Sequence, residues 1–266
     1  MFLETDSIAT TVCLSPEQHN IEILENRKFW EKKPLLKKVY SQFYREIARR
    51  LNPAVPGLIV ELGSGMGNVK EYIPQCITTD IFPNPWLDRV ENAYRLSFDK
   101  GEVGNLILFD VWHHLQYPGT ALNEFSRVLA PGGRVILFEP AMGLIGRFVF
   151  GHFHHEPLGL EDEIQWNAPD GFSGEAAYYA AQGNASRVFR SAAFKDQLRM
   201  WRIADIKYFS GLAYVASGGF RGQQLYPEKL LPCFNLLDTA LSRLPSLASR
   251  MLVVLEQKTP QEQKNT

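Results

Sequence analysis

The chain has 266 residues, enough for one well-decorated domain or two small ones, and its 45% hydrophobic, 12% aromatic and 21% charged residues exclude a disordered, collagenous or coiled-coil polypeptide. Its 28 lysines and arginines against 29 acidic residues leave a formal charge of −1. That balance argues against a nucleic-acid partner, because phosphate binding draws on uncompensated cations.

Residues 1–20 are polar and irregular, and Glu4, Asp6, Glu17, Glu22 and Glu25 with no cationic start predict no secretory signal. A helix is expected from about Ile21 to Leu51, since apolar residues recur at 36, 39/40, 43/44, 47/48 and 51. Its other face carries Lys37, Lys38, Arg45, Arg49 and Arg50 and reads as solvated. Asn52-Pro53-Ala54-Val55-Pro56-Gly57 punctuates the chain, and Leu58-Ile59-Val60 follows as an apolar run suited to a strand buried on both faces. Similar runs recur at Cys76–Thr79, Leu106–Phe109 and Arg134–Phe138. A helical spacing over Ala121–Leu129 stops at Pro131-Gly132-Gly133. Strand and helix in alternation predict an α/β fold with a parallel sheet covered on both faces.

From Ala141 to about Asn184 no period is visible, so this segment reads as an irregular insertion. A helix is then expected over Ala185–Trp201, a strand over Ile203–Phe209, an irregular stretch over Gly211–Tyr226, a helix over Pro227–Leu244 and a final strand over Arg250–Glu256. The expected organisation is a helical cap at 1–56, a core at 57–140, insertions at 141–184 and 211–248, core elements at 185–210 and 249–257, and a disordered tail at 258–266. Cys13, Cys76 and Cys233 lie far apart in no CxxC or Cys/His spacing, as reduced thiols of a cytoplasmic protein do. The most apolar stretch, Val135–Phe153, is interrupted by Glu139, Pro140 and Arg147 and is too broken to span a bilayer.

After the first strand comes Glu61-Leu62-Gly63-Ser64-Gly65-Met66-Gly67, a strand end, a glycine turn and a helix start. Glycines serve where backbone bends tightly and a ligand must approach without a Cβ in the way. Their positions at 63, 65 and 67 depart from the dehydrogenase GxGxxG spacing. A carboxylate beside this turn repels a pyrophosphate and suits a cationic amino group, which favours an aminoacyl-type cofactor over a dinucleotide. Asp80 ends the second strand, where a carboxylate can accept from both hydroxyls of a ribose; a turn cap before Pro83-Asn84-Pro85 is the competing explanation.

Together with Asp80-Ile81, Asn92-Ala93-Tyr94-Arg95-Leu96-Ser97-Phe98, Phe109-Asp110-Val111-Trp112-His113-His114-Leu115 and Phe125–Gly133, these residues resemble the class I S-adenosylmethionine-dependent methyltransferases, specifically the type 11 group. The resemblance covers about Gly57 to Pro140. It implies a Rossmann-like, seven-stranded, mostly parallel sheet with helices on both faces and lid insertions, and S-adenosyl-L-methionine as cofactor. It further implies cofactor contacts at Glu61, Gly63, Ser64, Gly65, Gly67, Asp80, Ile81, Asn92, Ala93 and Asp110. Glu61 and the glycine backbone would hold the methionine moiety, Asp80 the ribose, and Asn92 with Ala93 the adenine. Asn92 stands where the family more usually has Asp, and its amide oxygen can still accept from the adenine amino group.

Methyl transfer from a sulfonium needs an aligned lone pair and, for a hydroxyl acceptor, a base. His113 and His114 follow the fourth strand at the ligand-facing end of such a sheet and are the candidate catalytic residues. In an extended loop, adjacent side chains point to opposite sides, so only one of the two is expected to face the acceptor. His152, His154, His155 and Glu156 form a second polar cluster; its irregular context predicts substrate contact or packing, and no metal is expected. Trp112, Trp166, Phe153, Tyr178 and Tyr179 are candidate pocket linings. Chain folded over the donor from both insertions predicts a covered pocket for a small, apolar or lipid-like acceptor. Leu230, Leu231, Phe234, Leu237, Leu241, Leu244, Leu247 and Leu252 leave open peripheral membrane contact or simple lid packing. A non-catalytic cofactor-binding module and a nicotinamide-dependent oxidoreductase are the alternative functions. Intact Glu61, Gly63, Gly65 and Asp80 argue against the first, and the glycine spacing with Glu61 against the second.

Overall fold

The computed structural model describes residues 16–175, 178–258 and 262; Cys13 and nearly all of the expected tail lie outside the described residues. The sheet has seven strands: β1 (Leu58–Leu62), β2 (Ile77–Asp80), β3 (Arg89–Val90), β4 (Val103–Phe109), β5 (Leu129–Pro140), β6 (Trp201–Phe209) and β7 (Arg250–Gln257). They run in the order β3-β2-β1-β4-β5-β7-β6, parallel from β3 to β5, with β7 antiparallel to both β5 and β6. This is the expected Rossmann-like, mostly parallel arrangement.

The two-residue period of the strands divides the core into two layers. Leu106, Leu108, Val135, Leu137, Val253 and Leu255 share one face with residues of α3 (Pro118–Val128) and α5 (Asn184–Arg190). Ile107, Phe109, Ile136, Phe138, Leu252 and Val254 share the other with α2 (Pro34–Ala48). α2 buries Leu35, Leu36, Val39, Tyr40, Phe43, Tyr44 and Ile47 at helical spacing, each burial contributing about 1.5–3 kcal/mol.

The single helix expected over 21–51 is two helices, α1 (Pro16–Lys32) and α2, because Pro34 disfavours helical backbone at Lys33 and starts the second helix itself. The expected helix 185–201 ends at Arg190; the Ser191 hydroxyl accepts from the Ala193 amide and opens a short 3-10 turn over Ala192–Phe194. The 141–184 insertion is not wholly irregular, since α4 spans Leu144–Phe153. Apolar residues on both its buried and exposed sides erased the helical period, with Phe150 buried while Leu144, Phe148 and Phe153 face out. Two further helices, α6 (Leu212–Ala216) and α7 (Leu231–Leu241), lie in the second insertion. Among the described residues no helix is long and apolar enough to cross a membrane.

Strand order reverses between β1 and β4, so the loops leaving these two strands face each other across the crevice where ligands of such sheets bind. A Cβ on Gly63 would stand 2.4 Å from Val111 Cγ2, so the two loops are in direct contact there. Pro140 and Phe209 both pair with Arg250, which puts the starts of both insertions at this same end of the sheet. They touch each other as well, through the Gly143 amide donating to the Ala248 carbonyl at 3.0 Å.

Asp110 and Arg250 fasten β4 to β7 at this end. Asp110 has φ 57°, the one described non-glycine residue in the left-handed region. Its carboxylate pairs with both terminal nitrogens of Arg250, the Nη2 contact being 2.8 Å. The guanidinium is buried among the rings of Phe109, Phe138, Phe150 and Tyr214. Asp110→Asn keeps a residue that tolerates this φ while stranding a buried charge, so a loss of about 3–5 kcal/mol is expected in denaturant unfolding. Adding Arg250→Met should recover much of it; an Asp110→Asn protein as stable as the parent would refute this account.

Candidate functional site

The glycine turn is knitted to β2. The Ser64 amide donates to the Thr79 carbonyl at 2.7 Å, and the Ser64 hydroxyl donates to the Glu61 carbonyl at 3.1 Å. Gly63, Gly65 and Gly67 have φ of 64°, 51° and 74°, which only glycine adopts without strain. Asp80 braces the turn from below: its Oδ2 accepts from the Gly65 amide at 3.1 Å and its Oδ1 from its own neighbour Ile81 at 2.8 Å. From the side, the Trp86 indole donates to the Gly65 carbonyl at 2.8 Å, and Ile23 of α1 lies over Gly65.

Glu61 is 1% exposed, and neither of its carboxylate oxygens has a hydrogen-bond partner. Burial, with the Asp80 charge adding to it, pushes its pKa up to about 8. A buried acceptor without a donor is costly unless a ligand completes it. An orphaned carboxylate beside a Cβ-free cradle fits a cofactor with a cationic amino group.

Asn92 and Ala93 lie in the loop after β3. The Asn92 amide nitrogen donates to Gly174 of the insertion at 2.7 Å, while its oxygen accepts from the Tyr94 amide at 2.9 Å. These two bonds leave one lone pair on its oxygen. Asp110, expected near the methionine end, spends both oxygens on Arg250 and acts on the site through the turn it starts.

The histidine pair departs from expectation. Trp112–His114 form a 3-10 turn, not an extended loop, so the two rings lie side by side with centroids 4.1 Å apart. Glu139, at the end of β5 and fully buried, organises this turn: Oε1 accepts from the amides of Val111 (2.8 Å) and Trp112 (2.7 Å), and Oε2 faces His113 Nδ1 at 2.7 Å. His114 Nδ1 lies 2.9 Å from the Tyr179 carbonyl. Both Nε2 atoms turn toward Glu156, at 3.5 Å for His113 and 3.9 Å for His114. Burial opposes charge on His113, but Glu139 and Glu156 outweigh it and raise the imidazole to about 10. Burial and the charge of His113 lower His114 to about 4. Against its own burial, Glu156 is held well below the usual carboxylate range by the two histidines.

The expected cluster of His152, His154, His155 and Glu156 does not converge. His152 turns back to the Phe148 carbonyl at 3.0 Å and His155 stacks on His154, while Glu156 keeps His154 Nδ1 at 3.7 Å and also faces His113 and His114. Tyr178 and Gln182 hydrogen-bond the two oxygens of Glu156. Glu139 was missed in the sequence; its signal was a lone acid closing an otherwise apolar central strand.

Residues 60–137 match the family model of a methyltransferase domain. No curated protein matches the chain in sequence. Among solved structures, a chain from the Haloferax volcanii complex of the Trm112 methyltransferase activator with its methyltransferase is similar at 14% identity and TM-score 0.54, over 92% of this chain and 97% of that one. A Thermotoga maritima S-adenosylmethionine-dependent methyltransferase, described as a possible histamine N-methyltransferase, matches at 14% identity and TM-score 0.50, over 89% of this chain and 99% of that one. Residues 60–137 thus carry a methyltransferase domain, and the chain as a whole shares the fold of these structures.

A Glu61 carboxyl near pKa 8 is mostly protonated at neutral pH in the cofactor-free protein, and pairing with an ammonium returns it to the carboxylate. Cofactor binding is therefore expected to release up to about one proton near pH 7 and to tighten as pH rises toward about 8. Calorimetry of S-adenosylhomocysteine in buffers of different ionisation enthalpy reads this release directly. Glu61→Gln should abolish it and weaken binding by about 2 kcal/mol or more; a wild-type heat independent of buffer would contradict the pairing.

Proposed function

We propose that the protein transfers the methyl group of S-adenosylmethionine to a polar atom of a small, lipid-like acceptor seated beside His113, His114 and Glu156. The observation that carries this reading is the convergence of these three side chains at the carboxyl ends of β4 and β5, in the crevice that also holds the glycine turn. In this reading Glu61 pairs with the amino group of the cofactor. The backbone of Gly63, Ser64, Gly65 and Gly67 lines its methionine moiety, Asp80 and Ile81 take the ribose, and Asn92 and Ala93 take the adenine. When bound, the cofactor supplies an electrophilic methyl group on a sulfonium.

The protein's share is alignment, exclusion of water and removal of the acceptor's proton. His114 suits the last role. Its Nδ1 faces a carbonyl, which can only accept, so Nδ1 carries the hydrogen and Nε2 keeps a lone pair. His113, locked between Glu139 and Glu156, is a positioning residue that fixes the carboxylate opposite His114. The lipid-like body of the acceptor is supported by the apolar side chains left facing water near the site. Leu144, Phe148 and Phe153 are 66%, 57% and 76% exposed on α4, which runs straight into His154–Glu156. Leu236 and Leu244 are 72% and 53% exposed on and after α7, whose following turn, Pro245–Leu247, packs against α4.

S-adenosylhomocysteine release, measured across water-soluble and amphiphilic alcohols and amines, tests the reading. Turnover is expected with an amphiphile carrying a hydroxyl or amine. On that acceptor His114→Gln should lower kcat about 100-fold or more while cofactor affinity stays unchanged. His152→Gln should leave the rate alone. Wild-type turnover by His114→Gln would remove His114 from the chemistry.

A further inference from the structure

We propose that His113, His114 and Glu156 form a binding site for one first-row divalent cation. This rests on the acceptor-site reading above and changes one role in it: with the ion bound, His114 Nε2 is a ligand, and the ion in place of the free imidazole promotes loss of the acceptor's proton. One donor atom from each of the three residues lies within 4.8 Å of the other two. Donors bound at about 2.1 Å to a common ion lie roughly 3–4 Å apart, and the separations of 3.5 and 3.9 Å to Glu156 already fall in that range.

The orientation of the rings is the stronger observation. A metal-bound histidine uses one nitrogen for the ion and donates the other N–H to a carboxylate or a carbonyl, which fixes tautomer and ring angle. Both partners are present: Glu139 for His113 Nδ1 at 2.7 Å, and the Tyr179 carbonyl for His114 Nδ1 at 2.9 Å. Both Nε2 atoms are thereby aimed at the same carboxylate. Between His113 Nε2 and this carboxylate a proton stands in the metal-free protein, and a metal ion would take its place.

Charge balance points the same way. Glu139 is fully buried and the Glu156 side chain only 10% exposed, and among the described residues neither is paired with a lysine or arginine. A single imidazolium leaves this pair of carboxylates one positive charge short, and a divalent ion supplies both. Around the ligands, Tyr178 and Gln182 hold the Glu156 oxygens in place. Gln182 is 2% exposed and its amide oxygen has no partner. The second candidate triad, Asp110, His113 and Glu139, is already spent, since Asp110 pairs with Arg250 and Glu139 accepts from two amides and His113.

Two imidazoles and one carboxylate select zinc, manganese, iron or cobalt over the harder magnesium and calcium. Three protein ligands also leave coordination positions open, and the 29% exposure of the His114 side chain gives them a way out to the crevice. On the acceptor-site reading, those positions take an oxygen donor of the acceptor, such as a hydroxyl, and lower its pKa.

The test uses the full-length protein, stripped with a chelator and titrated with Co²⁺ alone. Expected are one equivalent taken up per chain, visible ligand-field absorption, and displacement by Zn²⁺. Glu156→Gln and His114→Gln should abolish this uptake, and Glu139→Gln should weaken it about 10- to 100-fold, while His152→Gln with His155→Gln leaves it unchanged. Circular dichroism and S-adenosylhomocysteine affinity verify that each variant is folded. Absence of saturable uptake by the wild-type chain overturns the proposal, as does uptake that survives in folded Glu156→Gln or that follows His152 and His155. S-adenosylhomocysteine binding to the stripped wild-type chain reads the methyl-transfer assignment separately, so the two can fail independently.

Discussion

The carboxylate of Glu139 is the point on which the site depends. It sits at the end of a central strand, fully buried, and accepts from the amides of Val111 and Trp112 and from His113. Hydrogen bonds to a buried charge are stronger than neutral ones, and three on one carboxylate offset much of its desolvation. What they determine is the shape of the chain after β4. Two consecutive amides drawn to one oxygen curl that chain into a 3-10 turn, and the turn brings two neighbouring histidines to the same side. A neutral residue at 139 would leave those amides without a common acceptor and His113 free to rotate.

Asp110 and Arg250 hold the same turn from its other end. The left-handed backbone at Asp110 is a local cost, sustained because its carboxylate is the counter-charge of a guanidinium buried among four aromatic rings. Arg250 opens β7, the strand that pairs with both β5 and β6. The pair therefore ties the carboxyl end of β4 to the last strand of the chain. Both insertions start next to it, so chain that is irregular in sequence is anchored at a rigid point.

Much of this was legible in the sequence where the signal was local. Leu58–Val60 and Met251–Leu255 read as continuous apolar runs because a strand inside a covered sheet is buried on both faces, and the spacing of Leu36, Val39, Phe43 and Ile47 suits a helix packed on a sheet. The glycines at 63, 65 and 67 were readable because their backbone angles exclude other residues. α4 was not readable, because Leu144, Phe148 and Phe153 are apolar yet exposed and so cancel the pattern that burial normally writes. The partners of His113 and His114 were not readable for a different reason. Glu139 lies 26 residues beyond His113, and contact between them is made by β4–β5 pairing, which sequence spacing does not express. Glu156 sat in view among histidines and was grouped with its neighbours in sequence; the insertion folds it away from two of them.

Charge pairing separates the two halves of the crevice. On the acceptor side every buried ionisable group has a polar partner: Arg250 has Asp110, His113 lies between Glu139 and Glu156, and Glu156 also faces His114. On the cofactor side, among the described residues, Glu61 is the one carboxylate whose two oxygens are both buried and unpaired. Evolution has no structural use for such a group, since a glutamine or a leucine of similar size would cost the fold less. A buried acid without a donor is what a ligand's cation would complete, and the glycine turn beside it leaves room for the backbone-like end of such a ligand. The fold thus carries one unpartnered carboxyl beside the glycine turn and a cluster of mutually bonded carboxylates and imidazoles where the acceptor is proposed to sit.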